Sequence, residues 1–243
     1  MKRKSIIPAI LFIHGILGIP DYFASYLPLV PPDWQVCNML LKGHGGSVRD
    51  FSAASMDEWK QQVENALCAL LKSHEKVVIA AHSMGTLLAI QQALKKPVAA
   101  LFLINVPFKV RIRPELFRIS WKVFWGDIRP DDKWTLAAQR VYGIERDPHV
   151  LRYLGWIPRY LELFSEIKRT RETAHRLTVP CQVYLSVQDE MVSLKGRKVL
   201  EGNPYVTLTI LHESGHFYYS PEAQRQLRED FCMLVGRVQA GKD

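Results

Sequence analysis

Short apolar segments alternate with stretches of helical periodicity along most of this chain. In the first half the apolar segments cover residues 9–13, 35–41, 77–81 and 99–104. Between the second and third, Ser55 and Glu58 have the spacing of a capping box that begins an amphipathic helix. The alternation of apolar and helix-like segments resumes with apolar segments at 181–187 and 206–211. Strands that alternate with helices predict an α/β fold, a mostly parallel sheet of about six strands with helices on both faces.

The segment 108–176 interrupts this alternation. It contains no clear strand, it has the pattern of several short helices, and it holds four of the six tryptophans. In the last third, a helix is expected at about 193–201, and Ser220-Pro221 is typical of the start of a final helix. We therefore expect residues 1–107 and 177–243 to form the core, with 108–176 inserted into it as a helical domain.

A serine stands between the third apolar segment and a helix-like stretch. Residues 79–85 read Ile-Ala-Ala-His-Ser-Met-Gly. The small residues Ala81 and Gly85 would let the following helix pack closely against the strand. A sharp turn of this kind holds a serine hydroxyl clear of the sheet, so Ser83 is the candidate nucleophile.

Three other strand ends are followed by residues suited to the same chemistry. His14-Gly15-Ile16-Leu17-Gly18 follows the first strand, Gln188-Asp189-Glu190 follows the fifth, and His212-Glu213-Ser214-Gly215-His216 follows the sixth. With the serine turn, this order resembles the α/β-hydrolase superfamily, and in particular its small carboxylesterase and monoacylglycerol-lipase branch. Members of that branch carry a similar His-Gly-x-x-Gly loop, and Gly43-His44-Gly45 resembles their Gly-His-Gly loop. The family prefers glycine where this chain has Ala81.

The resemblance implies a triad in the order serine, acid, histidine. Ser83 would be the nucleophile, Asp189 the acid and His216 the base. Asp189 also begins an Asp-x-x-Val pattern like that of family members. Glu190 and Glu213 remain alternatives for the acid, and His212 for the base. The two other nearby histidines, His44 and His82, are interpreted as packing or hydrogen-bonding residues.

An acyl transfer also needs donors for the oxyanion of the tetrahedral intermediate. The resemblance assigns these to the backbone N–H groups of Met84 and Ile16, with Leu17 as an alternative to Ile16. The side chains of Ile16 and Met84 would line the acyl pocket.

The resemblance implies a serine hydrolase that cleaves carboxylic esters through an acyl-enzyme, with short-to-medium acyl or compact apolar esters such as monoacylglycerols as substrates. A thioesterase or acyltransferase with the same triad, or a catalytically silent ligand-binding member, is the alternative. By the same resemblance, 108–176 would be a cap over the active site. Trp121, Phe124 and Trp125 are candidate pocket walls, although such a stripe is more often packing within the cap.

The net charge of +8 is concentrated in the middle segment. Residues 108–176 hold 15 Lys and Arg against 9 Asp and Glu. An ordinary solvated face is the simpler interpretation, and transient contact with an anionic membrane surface is the other. No nucleic-acid motif, metal-ligand spacing or phosphate-binding loop is found in the sequence. We therefore expect a small-molecule ester as partner, with no nucleic acid, cofactor or metal.

The sequence indicates a cytoplasmic protein. Its four cysteines are far apart and favour buried, reduced thiols. No run of 18 apolar residues predicts a membrane span. Lys2-Arg3-Lys4 before Ile6 resembles the start of a signal peptide, but the apolar run is short, is broken by Pro8 and lacks a cleavage site. The oligomeric state is left open.

Overall fold

A single six-stranded sheet forms the centre of the computed structural model, which describes residues 4–241. Its strands are β1 (Ala9–Ile13), β2 (Gln35–Asn38), β3 (Val77–His82), β4 (Ala100–Ile104), β5 (Cys181–Ser186) and β6 (Val206–Leu211). Every neighbouring pair is parallel, in the order β2-β1-β3-β4-β5-β6. The predicted fold class is therefore confirmed. Lys2 and Arg3, which begin the signal-like segment, lie outside the described residues.

Helices cover both faces of the sheet. The α-helices are α1 (Val48–Ala53), α2 (Met56–Ser73), α3 (Met84–Ala93), α4 (Pro114–Trp125), α5 (Lys133–Val141), α6 (Ile157–Thr173) and α7 (Pro221–Gln239). Side chains of α2, α3 and α6 pack against one face, and those of α7 pack against the other. Both faces are buried because parallel strands are joined by crossovers that place helices above and below the sheet.

Strand β1, which pairs with a strand on each side, explains why the apolar segments of this chain do not alternate with polar residues. Leu11 and Ile13 belong to the core on the α2–α3 side, and Ile10 and Phe12 to the core on the α7 side. All are fully buried, so both faces of the strand need apolar side chains.

Two elements are shorter than predicted. β2 ends at Asn38 instead of continuing to residue 41, because the Leu41 N–H leaves the ladder and donates to Nε2 of His14 at 3.1 Å. The helix expected at 193–201 is a 3₁₀ helix over Leu194–Val199.

The predicted capping box at α2 is only half formed. The Ser55 hydroxyl accepts the Glu58 N–H at 3.2 Å, but the Glu58 carboxylate turns toward the ammonium group of Lys42. A complete capping box instead begins α1, a helix that the periodicity did not predict, where Ser47 and Asp50 bond each other's backbone N–H groups.

Helices α4, α5 and α6 and a 3₁₀ helix over Val150–Trp156 lie between β4 and β5. None of the helices in residues 4–241 is long and apolar enough to cross a membrane. Of the four cysteines, which are free thiols, only Cys181 is buried. The expectation of four buried thiols was wrong, most clearly for the exposed Cys232 on α7.

Candidate active site

The candidate site lies where the strand order reverses. From β1 the chain moves outward to β2, and β3 then pairs with the opposite side of β1. In open α/β sheets, ligands bind outside the carboxyl ends of the strands at such a reversal, which here are the ends of β1 and β3. The loop after β1 and the residue after β3, Ser83, both lie at this edge of the sheet.

Ser83 occupies a strained turn between β3 and α3. Its φ of 50° and ψ of −124° are costly for a residue with a side chain, typically by about 1–3 kcal/mol. The turn is held because the Ser83 N–H donates to the Ile104 carbonyl at 2.9 Å, and the Thr86 hydroxyl donates to the Ser83 carbonyl at 2.6 Å. The strained conformation is thus held by hydrogen bonds to the Ile104 backbone and the Thr86 side chain.

Two glycines allow the chain to approach this turn closely. A Cβ at Gly85 would lie 2.4 Å from the carbonyl oxygen of Ile13, so only glycine lets α3 pack against the end of β1. A Cβ at Gly15 would lie 2.9 Å from Cβ of Ser83. The loop after β1 can therefore lie against the serine only without a side chain at that position.

A hydrogen-bonded chain joins the serine, a histidine and a carboxylate. Oγ of Ser83 lies 3.0 Å from Nε2 of His216, and Nδ1 of His216 lies 2.8 Å from Oδ2 of Asp189. All three side chains are buried. When Nδ1–H donates to the carboxylate, Nε2 is left free to accept the serine proton, which is the arrangement that activates a hydroxyl nucleophile.

The second carboxylate beside the histidine has a different contact. Oε2 of Glu190 accepts the backbone N–H of His216 at 2.9 Å and does not bond the imidazole. Burial raises the pKa of Glu190, and that hydrogen bond opposes the rise. His212 and Glu213, which the sequence also allows as base and acid, are exposed. The geometry therefore pairs Asp189 with the His216 ring.

Two neighbouring carboxylates, those of Asp189 and Glu190, raise the pKa of the His216 imidazole. Burial lowers the pKa of the imidazole, but the charge of Asp189, its hydrogen bond and the charge of Glu190 together outweigh burial. The net result is a pKa raised above the usual 6.5. The ring is thus a stronger base than a free histidine.

Asn105, which directly follows β4, supports the loop 212–220 that carries His216, called here the histidine loop. The sequence patterns did not indicate a functional role for this asparagine. Its φ of 55° turns the side chain so that Nδ2 donates to the Gly215 carbonyl at 3.1 Å. Its Oδ1 accepts the Ser186 N–H at 3.1 Å, which joins the ends of β4 and β5 to this loop. The available signal was an asparagine, which tolerates a left-handed φ, at the end of an apolar strand.

His82 also supports the loop, as its interpretation as a packing or hydrogen-bonding residue requires. Its ring stacks on Tyr22 at 3.9 Å between centroids, and Nε2–H donates to the His216 carbonyl at 3.1 Å. Burial lowers the pKa of His82 well below 6.5, so it stays neutral.

The predicted oxyanion donors, Ile16 and Met84, follow the ends of β1 and β3 at the same edge of the sheet. Ile16 follows Gly15 in a turn closed by the Gly18 N–H, which donates to the Gly15 carbonyl at 3.1 Å. Met84 is the first residue of α3, where backbone N–H groups carry the positive end of the helix dipole. Within residues 4–241, neither the Ile16 nor the Met84 N–H has an acceptor. Their role, and the choice between Ile16 and Leu17, stays a prediction.

The α4 tryptophans do not have the environment expected of pocket walls. Trp121 is 66% exposed and Trp125 is half exposed, whereas Ile119 is the buried residue of this helix. The tryptophan beside the histidine loop is instead Trp134 of α5, whose ring lies 4.9 Å from that of Tyr218. The helical period alone could not show which side of α4 faces the core.

The family model described as the Alpha/beta hydrolase family matches residues 10–229. This chain therefore belongs to the α/β-hydrolase family, as predicted.

Solved structures of similar fold include lipolytic enzymes. One metagenome-derived lipolytic enzyme has 16% identity and a TM-score of 0.69, with 96% of this chain and 95% of that chain covered. The monoacylglycerol lipase of Paleococcus ferrophilus has 18% identity and a TM-score of 0.65, with 96% and 97% covered. A carboxylesterase of Nitrososphaera gargenis has 17% identity and a TM-score of 0.61, with 97% and 93% covered. A comparison with curated proteins gives no match. At these identities the likeness establishes the fold alone.

Proposed function

We propose that this protein is a serine hydrolase that cleaves carboxylic esters through an acyl-enzyme. The observation that carries the proposal is the hydrogen-bonded chain from Asp189 through His216 to Ser83. The lipolytic and esterase activities named for proteins of the same fold agree with it.

In the first half-reaction, Oγ of Ser83 bonds to the ester carbonyl carbon while its proton passes to Nε2 of His216. The carbonyl π electrons move onto oxygen, where the N–H groups of Ile16 and Met84 would stabilise the negative charge. When the intermediate collapses, the bond to the alcohol oxygen breaks, and that oxygen takes the proton from His216. The acid portion remains on Ser83 as an ester.

The second half-reaction repeats these steps with water. His216 removes a proton from water, the hydroxide oxygen bonds to the acyl carbon, and the bond to Oγ of Ser83 breaks as that oxygen recovers the proton. Asp189 keeps Nδ1 protonated throughout and stabilises the imidazolium. The products are an alcohol and a carboxylic acid, and the proposed cycle uses no cofactor.

A fluorophosphonate probe tests the proposal, because it labels only an activated serine. We expect stoichiometric labelling of Ser83, together with hydrolysis of short nitrophenyl esters. Ser165→Ala, a change at an exposed serine of α6, is the matched control and should label normally. An unlabelled wild-type protein, or a label on another serine, would contradict the proposal. Labelling without ester turnover would favour a thioesterase or acyltransferase.

Activity should rise with pH through one step centred above 6.5. His216 must be neutral to accept the serine proton, and its raised pKa keeps the ring protonated, and therefore inactive, to a higher pH than a free histidine. The measurement is kcat/KM from pH 5 to 9 on an ester for which acylation limits the rate. A flat profile, or a midpoint well below 6.5, would exclude His216 as the base.

We also propose that residues 108–176 act as a cap and that compact esters are preferred. The support is position, because α4 begins where the Arg113 N–H donates to the Glu190 carbonyl at 3.0 Å, and Trp134 of α5 lies beside the histidine loop. Each methylene buried in an acyl pocket should add about 0.8 kcal/mol until the pocket is full. Nitrophenyl esters of increasing chain length should therefore show kcat/KM rising and then falling. A continued rise to the longest acyl chains would refute the compact pocket.

A further inference from the structure

Three aromatic side chains form an exposed stripe along α4. Phe117 and Trp121 are 68% and 66% exposed, and Trp125 is half exposed. They recur every four residues, so they share one face of the helix, and the rings of Trp121 and Trp125 are 5.5 Å apart. Single exposed apolar residues are ordinary, but a continuous aromatic stripe indicates contact with something other than water.

A second exposed apolar stripe runs from the 3₁₀ helix at Val150–Trp156 into α6. Its members are Val150, Leu151, Leu154, Ile157, Leu161 and Phe164, which are 46–76% exposed. Spacings of three and four residues again place most of them on one side. Buried residues of α6 such as Leu163 and Ile167 face the core, so the stripe lies on the outer side of this helix.

The helical segments that carry the two stripes come into contact near the end of α4. The ring of Phe124 lies 5.9 Å from that of Tyr153 in the 3₁₀ helix. The guanidinium of Arg146 lies over the rings of Phe124 and Trp125, at 4.8 and 4.7 Å from their centroids. We call the exposed members of both stripes the α4–α6 face.

Cations border this face. Exposed Arg118 lies three residues before Trp121, and exposed Lys168 lies four residues after Phe164, so each continues a stripe. Within 108–176, where basic residues outnumber acids 15 to 9, several acids are already paired. These pairs are Asp132 with Lys122, Asp147 with Arg152, and Glu162 with Arg159. Each of these pairs uses one base and one acid, so the basic residues of this segment still outnumber its acids by six.

We propose that the α4–α6 face docks on the surface of an anionic lipid bilayer. Tryptophan and phenylalanine partition into the interfacial region of a bilayer, and Lys and Arg beside them are attracted to anionic headgroups. A second copy of this chain fits less well, because a two-fold contact would bring identical basic borders together. Docking would hold α4 next to the lipid, and the N–H of Arg113 at the start of this helix donates to the carbonyl of Glu190, the neighbour of Asp189. The proposal goes beyond ester hydrolysis and does not depend on it.

Vesicle flotation of the full chain tests the proposal. The Ser83→Ala background prevents consumption of lipid, so the result is separate from the proposed activity. We expect binding at least about tenfold tighter to phosphatidylcholine vesicles containing phosphatidylglycerol than to phosphatidylcholine alone. Phe117→Ser with Trp121→Ser should weaken binding to both at least about tenfold. Arg118→Gln with Lys168→Gln should weaken binding only to the vesicles that contain phosphatidylglycerol, by about fivefold for each charge removed.

The controls lie on α7, across the sheet from the core face of α6. Met233→Ser removes a half-exposed apolar residue, and Arg225→Gln with Arg237→Gln removes two exposed cations. Each should change binding less than twofold. Equal losses in these variants, or no binding of the parent to either vesicle, would overturn the proposal. It would also be overturned by a solution dimer that dissociates on Phe117→Ser with Trp121→Ser, since a second copy would then cover the face. Single Trp121→Ser, with an unchanged circular dichroism spectrum, guards against misfolding of the double variant.

Discussion

Ser83→Ala should lower kcat/KM for ester hydrolysis by about 10⁵-fold or more while leaving the fold intact. The change removes the oxygen to which Nε2 of His216 is hydrogen-bonded, so no nucleophile remains at the end of the proton-transfer chain. Alanine can occupy the same backbone conformation at the same strain, because both residues carry a Cβ. The loss in stability should be that of one hydrogen bond, about 1 kcal/mol.

The test pairs initial rates on a nitrophenyl ester with thermal unfolding of the same preparation. Ser165→Ala should keep both wild-type activity and wild-type Tm. Retention of half the activity by Ser83→Ala would show that another group attacks the ester. A large fall in Tm would instead mean that the serine contributes to folding, and the rate loss could then not be assigned to chemistry.

The sequence predicted this turn because its constraints are local. Ala81 and Gly85 lie two residues before and two residues after Ser83, so the whole pattern falls within five consecutive residues. The strand ends that hold Asp189 and His216 were visible for a similar reason, since apolar runs that end in polar residues locate the carboxyl edge of a parallel sheet. Because all the strands are parallel, the carboxyl ends of β3, β5 and β6 lie at the same edge of the sheet.

Contacts between distant segments could not be predicted in the same way. The bond from Glu190 to the His216 backbone and the bond from Asn105 to Gly215 join residues more than 25 positions apart. Neither residue belongs to a periodic pattern that would indicate its partner. α1 was missed because six residues give too few turns for a helical period, although Ser47 and Asp50 do carry its cap.

The exposure of the α4 tryptophans was not predicted, for a different reason. The aromatic residues of α4 define an amphipathic helix, but periodicity does not show which side of the helix faces the protein core and which side faces outward. Ile119 packs inward, and the larger Trp121 faces outward. A rule that larger apolar residues are buried fails wherever a surface has a partner other than the protein's own core.

Glu190→Gln should leave turnover within about tenfold of wild type and shift the pH profile to lower pH. Oε1 of the glutamine can still accept the His216 N–H, so the loop keeps its position. Loss of the Glu190 charge removes one of the contributions that raise the pKa of His216. Glu190→Gln is the matched control for Asp189→Asn, because each variant replaces a carboxylate with the corresponding amide. A loss of several orders of magnitude here would move the role of the acid from Asp189 to Glu190.

Asp189→Asn should lower kcat by about 10⁴-fold, because the contacts of this carboxylate fix how an amide would sit in its place. Oδ1 of Asp189 accepts the N–H groups of Met191 and Val192 at 2.7 and 2.6 Å, while Oδ2 faces Nδ1 of His216. The amide oxygen of asparagine must take the first position, since an NH₂ there would meet two donors. Its NH₂ would then point at Nδ1, which must become the acceptor, and the proton of the neutral ring moves to Nε2. In that tautomer His216 can donate to Ser83 but cannot accept its proton. Single-turnover acylation rates measure this directly, and a loss no greater than that of Glu190→Gln would refute the assignment.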